Sequence, residues 1–519
     1  MEEGMRYPGL KPTEPNVVLL YPPTQSLPDE GQDRPATLCK PNGSLAYPQL
    51  AASLVQHGVP VRIFDACVGN EKDNLDDIFT HPTKLETGLW RTGVPDERIL
   101  EEVADATIVG LTSLFTDQET MVLRTASLIK KTFPEKLVIA GGVNARARRK
   151  NFLANNVDVV CLSEADFTIR EIVDAVAHGN DFSHIHGIAW HGGENPSRSQ
   201  DVIWDLDKLP IPAWHFLPLE RYWKVARSHG GFERPAKEEH RYGSINTSVG
   251  CAFKCTYCHI AGETDGSIAG PIGRYRVKSD ERVLDELQEL KRLGATHIFL
   301  EDDMLFGYKE RAIRLLQKMR TAGVEISDVN GLNVIHLFHR VMGGKNYEPD
   351  EMVINVLREA NFRDIVLAFE SATPHIIHKY ATNKWDPERM DIAKLIRLLK
   401  HYNLKVGGNY MLGYPDETLE EINATVELAR EHRAAGIDWC NFYAVLPLPG
   451  TPLFDLSLRN GWISPDFNPD RMSWTRSSII NSIVPAQKIE KIRQQAWLEI
   501  NSSSFKEHRK GMVAVYNPQ

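Results

Sequence analysis

From position 17 onward, short unbroken apolar runs alternate with stretches whose apolar residues recur every three or four positions. The runs at 17–21, 61–65, 107–112, 137–140 and 157–162 are rich in Val, Ile and Leu and too short for buried helices, so they predict strands. The stretches at 45–57, 119–133 and 145–155 predict amphipathic helices. Strands that are apolar at every position, not at alternate ones, belong to a parallel sheet covered on both faces. In such sheets ligands bind beyond the carboxyl ends of the strands. The loops there read Tyr21-Pro22-Pro23-Thr24, Leu111-Thr112-Ser113-Leu114, Gly141-Gly142-Val143-Asn144 and Ser163-Glu164-Ala165-Asp166. The paired glycines either close a tight strand-to-helix turn or let backbone approach a ligand, and the residues alone leave both open.

A second alternation begins near Ser244. Strands are predicted at 244–249, 297–301, 327–333, 365–370, 406–412 and 439–446, with helices at 279–293, 309–321, 350–360, 387–402 and 419–435. Six β/α units of this kind predict a parallel, incompletely closed barrel with its chemistry on loops at the C-terminal strand ends. Residues 1–15 are polar and proline-rich and read as a loose tail. A connecting region near 180–243 holds one short strand at 186–190 and three tryptophans, Trp190, Trp204 and Trp214, which read as packing anchors. The stretch 457–519 reads as mostly helical.

Directly after the first strand of the second series comes Gly250-Cys251-Ala252-Phe253-Lys254-Cys255-Thr256-Tyr257-Cys258. The spacing Cys-x3-Cys-x2-Cys puts three thiolates on one loop, with an aromatic residue before the last. Three thiolates can hold a four-iron four-sulfur cluster and leave one iron open to a small molecule. A zinc site would need a fourth Cys or His at finger-like spacing, and His259 adjoins Cys258 too closely to serve. Seven cysteines in 519 residues, three of them in this loop, do not make a disulfide framework. Cys39, Cys67, Cys161 and Cys440 read as buried or incidental thiols. A net charge of −9 argues against nucleic acid or an anionic membrane as partner. The basic run Arg146-Ala147-Arg148-Arg149-Lys150 reads as a solvated helix face. The N-terminus lacks a basic-then-apolar signal and no apolar run approaches the ~18 residues of a membrane span, so a cytoplasmic protein is expected.

The cysteine spacing, with Tyr257, resembles the signature of radical S-adenosylmethionine (SAM) enzymes. Later strand ends carry further matches in order. Glu301-Asp302-Asp303 follows the second barrel strand. Ala368-Phe369-Glu370-Ser371 is similar to the family's Gly-x-Glu-Ser element, with Ala368 replacing glycine. Met411-Leu412-Gly413-Tyr414-Pro415-Asp416-Glu417-Thr418 is similar to its Gly-x-Pro-x-Glu-Thr turn, and Leu446-Pro447-Leu448-Pro449-Gly450-Thr451-Pro452-Leu453 to the segment that closes its barrel. The resemblance implies Cys251, Cys255 and Cys258 as ligands of a 4Fe-4S cluster whose open iron chelates SAM. It implies SAM contacts from Tyr257, Glu301, Asp302, Asp303, Glu370, Ser371 and Gly413, with the ammonium on Asp302 or Asp303. It also implies an external one-electron reductant of the flavodoxin or ferredoxin type.

Upstream, Ile139-Ala140-Gly141-Gly142 followed by Val157-Asp158-Val159-Val160-Cys161-Leu162-Ser163-Glu164-Ala165-Asp166 resembles the cobalamin-binding domain that precedes some radical SAM barrels. Ser163 and Ala165 stand where that family has glycine. The resemblance implies cobalamin contacts from Thr112, Ser113, Gly141, Gly142, Ser163 and Glu164. No Asp-x-His-x-x-Gly motif occurs, so no histidine is expected on cobalt. The expected fold is α/β: a doubly wound, Rossmann-like cobalamin-binding sheet (16–180), a linker (181–243) that includes a family-like Asp205-Leu206-Asp207-Lys208-Leu209-Pro210-Ile211-Pro212, a partial (β/α)6 radical SAM barrel (244–455) and a small helical C-terminal region (456–519).

The implied reaction is cleavage of SAM to a 5′-deoxyadenosyl radical and, with cobalamin, C-methylation of an unactivated carbon in a small molecule or natural-product intermediate. Two readings stand beside it: a radical SAM cyclase or rearranging enzyme with cobalamin redox-active or absent, and a non-catalytic iron–sulfur protein. The strand-end carboxylates count against the last, since an electron carrier needs no such pocket. His336 and His339 read as surface histidines, Tyr308 and Tyr410 as core aromatics.

Overall fold

A computed structural model of the chain describes residues 13–28, 35, 45–225, 241–342, 346–382, 384–480 and 483–507. These form two compact units, 13–225 with Glu263–Ile272, and 241–262 with 273–507. Most of the expected N-terminal tail, and Cys39, lie outside the described residues.

The first unit is built on strands β1 (Val17–Tyr21), β2 (Val61–Asp65), β3 (Ile108–Thr112), β4 (Leu137–Gly141) and β5 (Val159–Cys161), parallel in the order β2-β1-β3-β4-β5. Antiparallel β6 (Ile188–Trp190) and β7 (Gly193–Asn195) extend the sheet beyond β5. Val17, Leu19 and Tyr21 face one layer and Val18 and Leu20 the other, and all are buried, as a sheet covered on both faces requires. Helices α1 (Ala46–Gln56) and α6 (Thr168–His178) close one face. Helices α2 (Asp96–Val103) and α3 (Glu119–Thr132) pack on each other and are tied by Arg124 and Asp96 at 2.8 Å. Strand order reverses between β1 and β3, which places the crevice of such a sheet at the loops after Tyr21 and Thr112.

Three expectations fail in this unit. The helix expected over 145–155 is two short pieces, α4 (Val143–Ala147) and α5 (Arg149–Ala154), broken at Arg148. The basic run there is not a solvated face. Arg146 pairs with Glu263, Arg148 with buried Glu119 at 3.0 Å and Arg149 with Glu194 at 2.7 Å. Trp214 is buried, but Trp204 is 43% exposed.

In the second unit, β8 (Tyr242–Ile245), β9 (His297–Leu300), β10 (Glu325–Asp328), β12 (Phe362–Glu370), β13 (Lys405–Leu412) and β14 (Trp439–Ala444) form one parallel sheet in that order, with short β11 (Leu332–Asn333) beside β12. Among the described residues β8 and β14 do not pair, so the barrel is open. Helices α7 (Asp280–Arg292), α8 (Lys309–Met319), α9 (Glu351–Glu359), α10 (Ile392–His401) and α11 (Leu419–Ala435) alternate with the strands. Helix α11 starts at a reciprocal Thr418/Glu421 cap and ends at left-handed Gly436. The strand expected at 327–333 is interrupted. The Asp328 carboxylate accepts the Gly331 and Val366 amides, replacing ladder bonds with a turn. The C-terminal helix α12 (Ala486–Ile500) packs on β14, and just beyond it the Asn501 side chain bonds both the amide and the carbonyl of Cys440, covering the sheet edge.

Candidate functional site

The cysteine loop leaves the sheet after β8 through a two-residue strand, Ser248–Val249, paired with Arg276–Val277. Gly250 has φ +77, and a Cβ there would collide with the Arg274 carbonyl. Only glycine lets the loop turn this tightly. The Cys251 amide donates to the Gly273 carbonyl and the Cys258 amide to the Cys255 carbonyl. Cys255 is buried, while Cys251 and Cys258 are partly so. Burial pushes the Cys251 thiol up and the Cys258 thiol to about 12, and in each case the Cys255 sulfur adds to the rise. The Cys251 and Cys258 thiols, which disfavour their charged forms unless a cation shares them, fit an iron–sulfur cluster. Among the described residues no three His, Cys, Asp or Glu side chains are grouped to hold a single metal ion. Cys67, Cys161 and Cys440 are buried.

The two adjacent aspartates after β9 have different surroundings. Asp302 is buried and fully engaged, accepting from the Thr247 amide (3.0 Å), the Thr247 hydroxyl (2.8 Å) and the Ser248 hydroxyl (2.5 Å). Arg311 braces the same corner by donating to Thr247. Burial raises the Asp302 carboxyl, against those hydrogen bonds. Asp303 instead meets the cysteine loop, accepting from the Gly250 amide at 3.2 Å, and its charge raises the Cys251 and Cys258 thiols. Glu301 is partly exposed, and its backbone carbonyl accepts from Asn330.

Glu370 ends β12 in a left-handed conformation (φ +65), a strained state for a non-glycine residue. Its carboxylate is 2.9 Å from the ammonium of Lys384, and both side chains are largely buried. Lys384 also lies 5.8 Å from the centre of the Tyr257 ring. The Tyr257 hydroxyl is buried and lies beside the Glu370 carboxylate. Ser371 is fully buried and accepts from the Thr373 amide while meeting Thr425 at 3.3 Å, so its hydroxyl is used by the fold. Gly413 (φ +88) donates to Glu417 at 2.7 Å, and a Cβ on it would meet Ile489 at 2.9 Å. Tyr380, Met411, Tyr414 and Val445 form an apolar wall against which Tyr257 packs.

Of the remaining candidates, His336 is half-buried, with its ring 5.9 Å from that of Phe253. Burial, with Lys309 adding to it, lowers its pKa to about 4. His339 is exposed, as expected, whereas Tyr308 is 56% exposed and not core. Tyr410 is core, with its hydroxyl on His432 at 2.9 Å. Lys384 and Phe253 are the residues that sequence reasoning passed over. Lys384 lies 14 positions after its partner Glu370, in a stretch with no motif.

At the carboxyl ends of β3 and β4 the polar groups form one network. The Ser113 amide donates to Gly141, its carbonyl accepts from the Asn144 and Ala145 amides, and its hydroxyl accepts from the Asn144 side chain. Asn144, Arg148 and Asn151 converge on Glu119. Gly142 has φ +102, and a Cβ there would sit 2.5 Å from the Ser113 carbonyl. The fold therefore requires this glycine. Gly141 differs, because a Cβ on it would meet nothing nearer than Cys161 at 4.0 Å. Among the described residues the buried Asn144 Oδ1 has no partner. Thr112 ends β3 half-buried, Ser163 donates to the Ala269 carbonyl at 2.8 Å, and Glu164 accepts from the Ile203 amide at 3.3 Å.

Residues 245–429, spanning the cysteine loop and the strand ends through Glu370 and Gly413, match the radical SAM superfamily. That segment of the chain is a radical SAM domain. The chain is therefore an enzyme whose cofactors are a 4Fe-4S cluster and SAM. It is 23% identical over 468 residues to the cytidylyl-2-hydroxyethylphosphonate methyltransferase of Streptomyces wedmorensis, covering 83% of this chain and 80% of that one. It is 22% identical to the anaerobic magnesium-protoporphyrin IX monomethyl ester cyclase of Rubrivivax gelatinosus, covering 75% and 66%. In fold it is similar to the cobalamin-dependent SAM radical enzyme OxsB, solved with aqua-cobalamin and SAM bound (TM-score 0.65, 14% identity, 93% of this chain and 66% of that one). No helix among the described residues is long and apolar enough to cross a membrane.

Proposed function

We propose that this radical SAM enzyme is a cobalamin-dependent C-methyltransferase acting on an unactivated carbon of a small molecule. The observation that carries the reading is that similarity to a methyltransferase runs through both units, 83% of the chain, and is not confined to the barrel. The donor set agrees with it. Cys251, Cys255 and Cys258 hold the cluster. Asp303, which faces the cysteine loop, takes the SAM ammonium, while Asp302 supports the Thr247–Ser248 backbone. Tyr257, Glu301, Glu370 and the Gly413 turn complete that pocket, and the apolar wall of Tyr380, Met411 and Tyr414 excludes water from it.

For cobalamin, the open side of Gly141 and the unpartnered Asn144 Oδ1 fit a macrocycle edged with amides, with Thr112, Ser113, Ser163 and Glu164 around it. When bound, the reduced cluster and SAM supply the radical that takes hydrogen from the substrate carbon, and cobalamin carries the methyl group. The electron comes from an external flavodoxin- or ferredoxin-type donor, which places the enzyme in a reducing, cytoplasmic setting.

Incubation with methyl-labelled SAM and its acceptor should yield both 5′-deoxyadenosine and S-adenosylhomocysteine, with label on a product carbon. A product of unchanged carbon count, formed with 5′-deoxyadenosine alone, would favour the cyclase or rearrangement reading.

A further inference from the structure

We propose that Lys384 is a positioning residue for the cluster, a fixed buried cation that raises the cluster's reduction potential. The inference rests on the reading of the three-cysteine loop as the cluster site and extends it to a residue outside every motif.

Lys384 reaches the loop from the segment after β12, with its side chain 14% exposed and its ammonium 2.9 Å from Glu370. A buried ion pair rarely compensates the desolvation of both charges by itself, so a cation kept this deep needs further negative charge. The cysteine loop would carry that charge once its thiolates hold iron. Tyr257, between Cys255 and Cys258, sits beneath the ammonium. Against the loss of hydration, Glu370 and the Cys255 and Cys258 sulfurs hold the lysine well above its ordinary value. On the other side, the Asp303 carboxylate accepts from the amide of Gly250, which adjoins Cys251, at 3.2 Å. The loop thus lies between two fixed charges of opposite sign.

A cluster gains one negative charge when reduced. A cation beside its thiolates stabilises the reduced form and an anion destabilises it, because charge and hydrogen bonding around the sulfurs set the potential. Lys384 and Asp303 are therefore opposing determinants of how easily the electron enters.

The test is a redox titration of the anaerobically reconstituted full chain without SAM, followed by the EPR signal of the reduced cluster, with iron counted per chain. Lys384→Met should keep its iron and shift the reduction equilibrium about tenfold toward the oxidised form, equivalent to ~59 mV for a one-electron couple. Lys384→Arg should restore the parent potential, and Asp303→Asn should shift it the opposite way. Full iron with an unmoved midpoint in Lys384→Met would overturn the proposal, and so would that result together with weakened SAM binding, which would assign the ammonium to the SAM carboxylate. If Lys384→Met fails to load iron, Asp303→Asn decides the question, and an unmoved midpoint there would overturn the proposal equally. Absence of a cluster in the parent chain would instead refute the cysteine-loop reading itself.

Discussion

The cysteine loop of the barrel and the Gly141–Gly142 loop of the N-terminal sheet both follow a parallel strand, and both turn on a glycine with positive φ. Their surroundings differ in kind. Around the cysteines, Lys384, Glu370 and Asp303 bring net charges into a poorly hydrated space. Around the glycines, Ser113, Asn144 and Asn151 converge with the Arg148–Glu119 pair in a network that answers its own charge and leaves a single amide oxygen over. A charged cluster with a zwitterionic cosubstrate calls for placed charges, whereas a broad amide-edged macrocycle calls for room beside backbone. Each loop supplies what its proposed ligand needs.

The sharpest break in that comparison is Cys255→Ala. Two remaining thiolates hold a cubane poorly, and Cys440, buried on Tyr410, cannot move in to replace it. Iron absorbance and SAM cleavage should both be lost, while the corrinoid affinity of the N-terminal unit should persist. Full iron in this variant would remove the barrel side of the comparison.

The two glycines should then separate. Gly142→Ala adds a Cβ 2.5 Å from a carbonyl at φ +102 and should destabilise the chain by about 1–3 kcal/mol, seen as a lower Tm. Gly141→Ala meets no protein atom closer than 4.0 Å and should leave Tm alone while weakening corrinoid binding. Equal corrinoid affinity in Gly141→Ala and the parent would mean that this edge faces no ligand.

A similar contrast is expected within the barrel. Asp303→Asn should weaken SAM binding about ten- to a hundred-fold with little loss of stability, the worth of one charge-assisted hydrogen bond. Asp302→Asn should do the reverse, lowering Tm because the Thr247 and Ser248 donors lose a charged acceptor. Reversed outcomes would exchange their roles.

The last effect is one of pH and concerns Glu417. Burial holds its carboxyl at about 8, with Glu421 and Asp416 adding to the rise and the Gly413 and Tyr414 amides opposing it. An acid whose folded pKa is raised keeps its proton longer in the folded chain. Its contribution is complete below the unfolded value of 4.5 and is lost as pH climbs to about 8. Glu417→Gln should flatten the pH dependence of Tm across that window, and an unchanged slope would show that the carboxyl is ionised throughout.

Periodicity made the architecture legible. The strands at 17–21 and 61–65 and the helix at 419–435 fall where the pattern put them, because burial on one face or both leaves a period in the sequence. Features made by distant partners leave none. The basic run at 146–150 looks like a solvent face until Glu119, Glu194 and Glu263 are brought to it. The turn at Asp328 arises from a side chain that takes the place of backbone partners. The three cysteines were legible because one loop carries them all. Lys384 was not, since only the fold brings it to that loop, and adjacency in sequence said nothing of how differently Asp302 and Asp303 are used.

The ligand proposed for the N-terminal unit is cobalamin. The corrinoid content and cob(II)alamin EPR spectrum of the anaerobically reconstituted, iron-loaded chain decide whether it is bound. One corrinoid per chain, base-off and without nitrogen hyperfine splitting from a histidine on cobalt, is the predicted result. A fully iron-loaded, SAM-cleaving chain that retains no corrinoid would contradict it.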